Sequence, residues 1–194
     1  MKTLLTLCVL LFSSSVVADD ISDFQIEGMS VGDSLLDYMT EEEIKNEIRV
    51  NRYMYNYLTD EFGEVYLFNE IKNYDYMSFF VKTDDKNYLI YGLRGVIKIN
   101  NLEKCLEKQN KLLSDSKEVI PNSEPEIENI DHPVDPTGKS KIYSKFIYLN
   151  SGDFIRVACN MFEKKLAKKN NWNSGLTLFI GKEELEYWLR THNQ

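Results

Sequence analysis

Histidine is nearly absent: His132 and His192 are the only two in 194 residues, and the second stands beside the C-terminal end. That scarcity excludes a histidine-rich zinc site. Proline is confined to one stretch, at Pro121, Pro125, Pro133 and Pro136, so nothing elsewhere forbids regular structure on that ground. Basic residues are the minority, 23 against 31 acidic, for a net charge of −8. An acidic surface repels phosphate backbones and anionic lipid, and nucleic acid is excluded as a natural partner. Beyond the N-terminal region no apolar run is long enough to cross a bilayer, so no membrane span is expected after it. The three cysteines include no C-x-x-C pair, and neither Cys105 nor Cys159 has a histidine near it in sequence, which argues against a thiol-metal or redox-active centre. Gly138-Lys139-Ser140 resembles the tail of a phosphate-binding loop. That motif needs glycine at position 133, where this chain has Pro133. No cofactor and no metal are expected.

What is present begins with a secretory pattern. Lys2 supplies a positive start, Leu4 to Phe12 a short apolar core, and Val16-Val17-Ala18 a small-residue cleavage context before Asp19-Asp20. Residues 1–18 are read as a signal peptide, and 19–194 as a single domain of 176 residues. Loss of Lys2 leaves 22 basic and 31 acidic residues, a charge of −9. Cys8 falls inside the signal's apolar core. Export leaves Cys105 and Cys159 in a space where thiols oxidise, and a disulfide between them is expected, two separate buried thiols being the alternative.

Two aromatic and β-branched runs, Tyr74–Lys82 and Asn87–Ile99, read as strands folded back over the polar tetrad Thr83-Asp84-Asp85-Lys86. A four-residue loop pairs Phe79 with Ile90, Met77 with Gly92 and Asp75 with Arg94. Neither face of this hairpin is plainly polar, so both are expected to be covered. Ahead of it, Thr40 and Glu43 form a capping box, with Met39 and Ile44 placed as a hydrophobic staple; a helix is expected from Glu41 to about Val50. Tyr53, Tyr55 and Tyr57 alternate as in a strand, and Glu64–Phe68 reads as another after a turn at Asp60–Gly63. Asn100 and Glu103 suggest a second cap before a helix from Asn101 to about Leu113, with Cys105 on its buried face. Residues 114–140, rich in proline and acidic groups, read as a long surface loop. A second hairpin, Lys141–Asn150 and Phe154–Met161, turns at Asn150-Ser151-Gly152-Asp153. Lys164–Asn171 reads as a basic helical connection, Gly175–Ile180 as a last strand and Lys182–Arg190 as a terminal helix.

The run Phe24-Gln25-Ile26-Glu27-Gly28-Met29-Ser30-Val31-Gly32-Asp33-Ser34-Leu35-Leu36-Asp37-Tyr38, followed by Glu41-Glu42-Glu43-Ile44, resembles the opening of a group of small exported proteins of Pelagibacter-like marine bacteria. The likeness covers about the first thirty residues after the signal and is looser in the hairpin and around Cys105 and Cys159. It implies export, and it carries over neither an activity nor functional residues.

Three further motifs carry chemistry. Gly32-Asp33-Ser34-Leu35 spells the opening block of the GDSL esterases, which also need a late Asp-x-x-His pair; here Asn129 precedes His132 by three, and Leu189 precedes His192. Ser34 as a helix cap accounts for the same letters. Glu124, Glu126, Glu128, Asp131, His132 and Asp135 offer oxygen ligands without the ordered spacing of a calcium loop, and read as solvated charge. Tyr53, Tyr55, Tyr76 and Tyr91 could line a pocket for an aromatic or sugar ligand, although aromatics at strand spacing ordinarily pack on one another.

These readings converge on an α+β fold: an antiparallel sheet of about five or six strands with helices packed against it, joined by Cys105 and Cys159. The expected function is noncatalytic binding of an envelope protein or small ligand, in the periplasm or after secretion. A small hydrolase using Ser34, or carboxylates such as Asp33 and Asp37, is the alternative.

Overall fold

The computed structural model describes residues 20–54, 61–69, 71–117, 120 and 124–192. The signal segment, Tyr55 and Tyr57 lie outside these. A two-residue hairpin, β1 (Gln25–Ile26) and β2 (Met29–Ser30), turns through Glu27 and Gly28, both at positive φ. Then follow α1 (Glu41–Met54), β3 (Phe62–Leu67), β4 (Tyr76–Lys82), β5 (Ile90–Lys98), α2 (Leu102–Lys117), β6 (Glu126–Asp131), β7 (Lys141–Tyr148), β8 (Phe154–Met161), α3 (Lys164–Asn170), β9 (Gly175–Gly181) and α4 (Glu183–His192).

Seven strands form one antiparallel sheet in the order β3-β4-β5-β9-β8-β7-β6. Two three-stranded meanders, β3-β4-β5 and β6-β7-β8, thus meet only through the last strand, which pairs with β5 on one side and β8 on the other. The sheet has one strand more than the upper expectation, and the addition is β6, inside the supposed loop 114–140. Its Glu-Ile-Glu-Asn-Ile-Asp sequence pairs with β7 alone and leaves most of its residues exposed. An edge strand tolerates such charge, which also discourages further pairing; composition there mimics a loop. The helix before it runs on to Lys117.

The capping box forms as expected: Thr40 N donates to Glu43 Oε2 at 2.9 Å, and Glu43 N to Thr40 Oγ1 at 3.3 Å. The helix then extends one turn further than expected and includes Tyr53, which is therefore helical and not part of a strand. Gly63, assigned to a turn from sequence, lies within β3. The cap of α2 is Asn101, one residue later than expected, accepting from Lys104 N at 2.8 Å.

The central hairpin exists in a different register. Phe79 faces Leu93, Ser78 faces Arg94 and Met77 faces Gly95, and a bulge at Phe80/Val81 leaves Tyr91 as the extra residue. The cause is a longer loop, residues 83–89. Asp85 accepts from the Asn87 and Leu89 amides at 2.9 and 3.1 Å, while Tyr88 turns into the core at positive φ. Asp75, expected opposite Arg94, instead accepts from Lys98 N at 2.7 Å.

Both faces of the sheet are covered, as the lack of a polar face required. On the first lie the N-terminal segment, α1 and α2, packed over Val65, Met77, Phe79, Leu93, Ile147, Ile155, Val157, Leu176 and Ile180. Gln109, buried on α2, donates through Nε2 to the carbonyls of Tyr143 and Val157, both at 2.8 Å, and so ties the helix to β7 and β8. The Cys105–Cys159 disulfide joins the same helix to β8 with the Cα atoms 6.0 Å apart. On the second face α4 sets Leu185 and Trp188 over Phe62, Phe80, Phe146, Phe154 and Phe179.

Two outcomes follow. The disulfide closes a separation of 54 residues. The Cys105→Ala/Cys159→Ala variant is expected to lose about 4 kcal/mol by denaturant unfolding against the oxidised protein. Gly175 sits where an added Cβ would strike the carbonyl oxygen of Ile97 on the paired strand, a backbone atom with no rotamer to change. Gly175→Ala should therefore destabilise by about 2 kcal/mol or more in the same assay.

Candidate functional site: an arginine–phenylalanine row on the second face

Side chains alternate across a strand, so residues at matching registers on the seven strands share a face. On the face that carries α4, this brings together residues far apart in sequence. Arg94 on β5 stands opposite Phe179 on β9, Phe179 opposite Arg156 on β8, and Arg156 opposite Phe146 on β7. Phe80 on β4 lies diagonal to Arg94. The result is a row that alternates ring and guanidinium over five strands. Arg94 lies 4.6 Å from the Phe80 centroid and 5.0 Å from that of Phe179; Arg156 lies 5.3 Å from that of Phe146, and Arg190 of α4 caps it at 5.7 Å. These are cation–π distances.

Charge along the row is unevenly matched. Arg94 Nη2 meets Glu64 Oε1 at 3.2 Å, and Glu64 is fully buried on β3. Arg190 Nη2 meets Glu186 Oε1 at 2.8 Å, and the same oxygen accepts from Tyr148 Oη at 2.8 Å. Arg156 donates Nε and Nη2 to a neutral acceptor, Ser144 Oγ, at 3.0 and 2.8 Å. Burial, followed by the positive charge of Arg94, brings the Arg156 guanidinium down to about 10. Burial and then the bond to Glu186 push the Tyr148 hydroxyl up to about 12.

Toward the opposite end of β3 and β4, away from α4, three rings cluster, with Phe68 exposed and Tyr66 and Tyr76 half-buried. Tyr66 and Phe68 lie 6.0 Å apart and nearly parallel, with Tyr76 5.9 Å from Tyr66 and 5.8 Å from Phe68. Phe68 is 64% exposed. Of the tyrosines proposed from sequence to line a pocket, Tyr76 belongs to this trio. Tyr91 instead packs on Phe62, with Lys82 and Lys182 against its ring, and Tyr53 is in α1.

The other sequence candidates have structural partners. Ser34 caps a 3₁₀ turn, accepting from Leu36 N at 3.3 Å and donating to Asn87 O at 2.7 Å. Asp33 accepts from Ser30 N and Tyr38 Oη, and Asp37 lies exposed in the turn that Ser34 caps. His132 packs on Phe162 and Trp172, and burial lowers its pKa; His192 stacks on Trp188. Asp131 pairs with Lys141. Asp135, held well below the usual carboxylate range by Ser140 and Thr137, closes the turn before β7, which Gly138 completes at positive φ. Glu126 and Glu128 are edge-strand residues on β6, and Glu124 is exposed just before it. An open cleft of about 490 Å³ beside this turn is lined by Asp135, Lys139, Glu163, Lys165 and Lys169, and Glu163 there caps α3. Among the described residues no cluster of three His, Cys, Asp or Glu is placed to hold a metal ion, and no helix is long and apolar enough to cross a membrane.

Arg94, Arg156, Tyr66 and Phe68 were not singled out from sequence as site residues. A signal existed: the chain has five arginines against eighteen lysines, and three of the five stand on this row. No protein-family model, curated protein or solved structure matches the chain. The fold and site define an α+β protein with one seven-stranded antiparallel sheet and an arginine–aromatic face.

The Tyr148 hydroxyl has a testable pH signature. Its folded pKa lies above the ordinary tyrosine value of about 10, so its contribution to stability is intact below that pH and is lost as pH rises toward about 12. Tyr148→Phe should flatten the alkaline decline in stability and remove one late phenol from an ultraviolet difference titration. Tyr74, held up to about 12 by burial and then by Glu27, should remain.

Proposed function

We propose that the protein is an exported, noncatalytic binding protein of the cell envelope, acting in the periplasm or after secretion. We further propose that it belongs with the small exported marine-bacterial proteins its N-terminal region resembles. The observation that carries the binding reading is the surface trio Tyr66, Phe68 and Tyr76. Phe68 keeps most of its ring in water while resting on the half-buried Tyr66 and Tyr76, and an exposed aromatic on a supported platform is the kind of residue that dominates binding hot spots. The Cys105–Cys159 disulfide is compatible with an oxidising compartment. The hydrolase alternative is weakened at Ser34, whose hydroxyl is held by Leu36 and Asn87 with no histidine as partner. An activated nucleophile needs a base within hydrogen-bond reach.

The full chain, carrying a photoreactive residue at position 68 and expressed in intact bacteria, should give a discrete adduct in the periplasmic or secreted fraction. The same residue at position 187, on the exposed face of α4 where Tyr187 is 72% exposed, should give none. Absence of an adduct at 68, or its appearance only in cytosol, would overturn the reading.

A further inference from the structure

Arg156 differs from its two neighbours in the row. Arg94 has Glu64, and Arg190 has Glu186. Arg156 is set on β8, next but one to the sheet's edge strand, and only partly exposed, and both its hydrogen bonds end on one hydroxyl. A guanidinium has five N–H donors. Ser144 Oγ engages one on Nε and one on Nη2; the remaining three, at the free end of the fork, have no acceptor among the described residues. The acidic groups facing it stand further off: Glu128, opposite Ser144 on β6, and Glu186 on α4. Burial and the charge of Arg94 outweigh their pull. An enclosed cation without a hydrogen-bonded anion is unfavourable and gains from acquiring one.

We propose that Arg156, with Ser144 holding one edge of its fork, is a recognition point for the carboxylate of a small ligand. This names a ligand class for the binding protein argued above and rests on that reading. A carboxylate presents two oxygens in a plane and matches the free end of the fork in a bidentate pair. One negative charge balances the single uncompensated guanidinium. A dianion would meet repulsion from Glu128 and Glu186. Phe146 and Phe179 are themselves buried under α4, so what the geometry names is the acid group of the ligand and not its body.

The test is titration of the full-length, disulfide-intact protein with acetate, benzoate and inorganic phosphate at fixed ionic strength, reading arginine Nε–Hε resonances. Five arginines make the spectrum assignable. Acetate and benzoate should move the Arg156 resonance saturably. Arg156→Gln should weaken both at least about tenfold, whereas Lys165→Gln, in the distant cleft, should leave them unchanged. If Arg156→Gln does not fold, the wild-type titration still decides. An unmoved Arg156 resonance overturns the site, and phosphate binding as tightly as the carboxylates overturns the ligand class. Loss of carboxylate binding with the position-68 adduct retained removes this inference alone; loss of the adduct removes the reading beneath it.

Discussion

The pairing of β9 with both β5 and β8 is the constraint on which the architecture depends. Each meander is local, and hairpin contacts suffice to make it. Neither touches the other until residues 175–181 lie between them, with Gly92 and Phe154 both opposite Gly181, and Lys98 and Asn160 both opposite Gly175. The sheet therefore closes only when the last strand arrives from the C-terminal end. Long-range strand pairing of this kind is slow to form because chain entropy is lost before contacts compensate it. The glycines of the seam follow from the same crowding: at Gly92 an added carbon would meet Leu185 and Phe179, and at Gly181 it would meet Phe154. Once β9 is in place, α4 follows directly and falls on the second face, and the rows of both meanders become continuous.

Continuity across that seam is what creates the arginine–phenylalanine row. Arg94 comes from one meander, Arg156 and Phe146 from the other, and Phe179 from the joining strand. None of the three arginines has more than one row partner on its own strand or helix. Lysine is abundant in this chain, yet the row uses arginine. A flat, delocalised guanidinium lies parallel to a ring and still presents N–H groups at its edge, whereas an ammonium is a point charge without a plane to stack. Three of the five arginines thus stand among rings, where Glu64 and Glu186 match part of their charge. The first face is different in kind. There α2 is fastened by the disulfide and by Gln109, and the side chains that meet it are mostly aliphatic.

Much of the chain was legible without coordinates because its signals are local. The Thr40–Glu43 box, the second hairpin about Asn150–Asp153, the terminal helix and the place of Cys105 on the buried face of its helix each depend on neighbours a few residues away. The inference that both hairpin faces are covered also survives, since it needed only the absence of a polar face. The register of the first hairpin did not, because Tyr88 leaves the turn for the core, lengthens the loop and moves Arg94 from Asp75 to Ser78. β6 is hidden in the sequence because an edge strand is permitted the charge that elsewhere marks a loop.

Sequence alone determined where α1 starts, that both faces of the central hairpin avoid water, that the two cysteines after the apolar N-terminal segment suited each other, and that Ser34 suited a cap. Tertiary structure decided the strand order, the register and the row of arginines. Periodicity and caps are properties of a few consecutive residues, but a shared face across five strands exists only after pairing fixes which residue stands opposite which, and a one-residue shift would send Arg94 to the other side of the sheet.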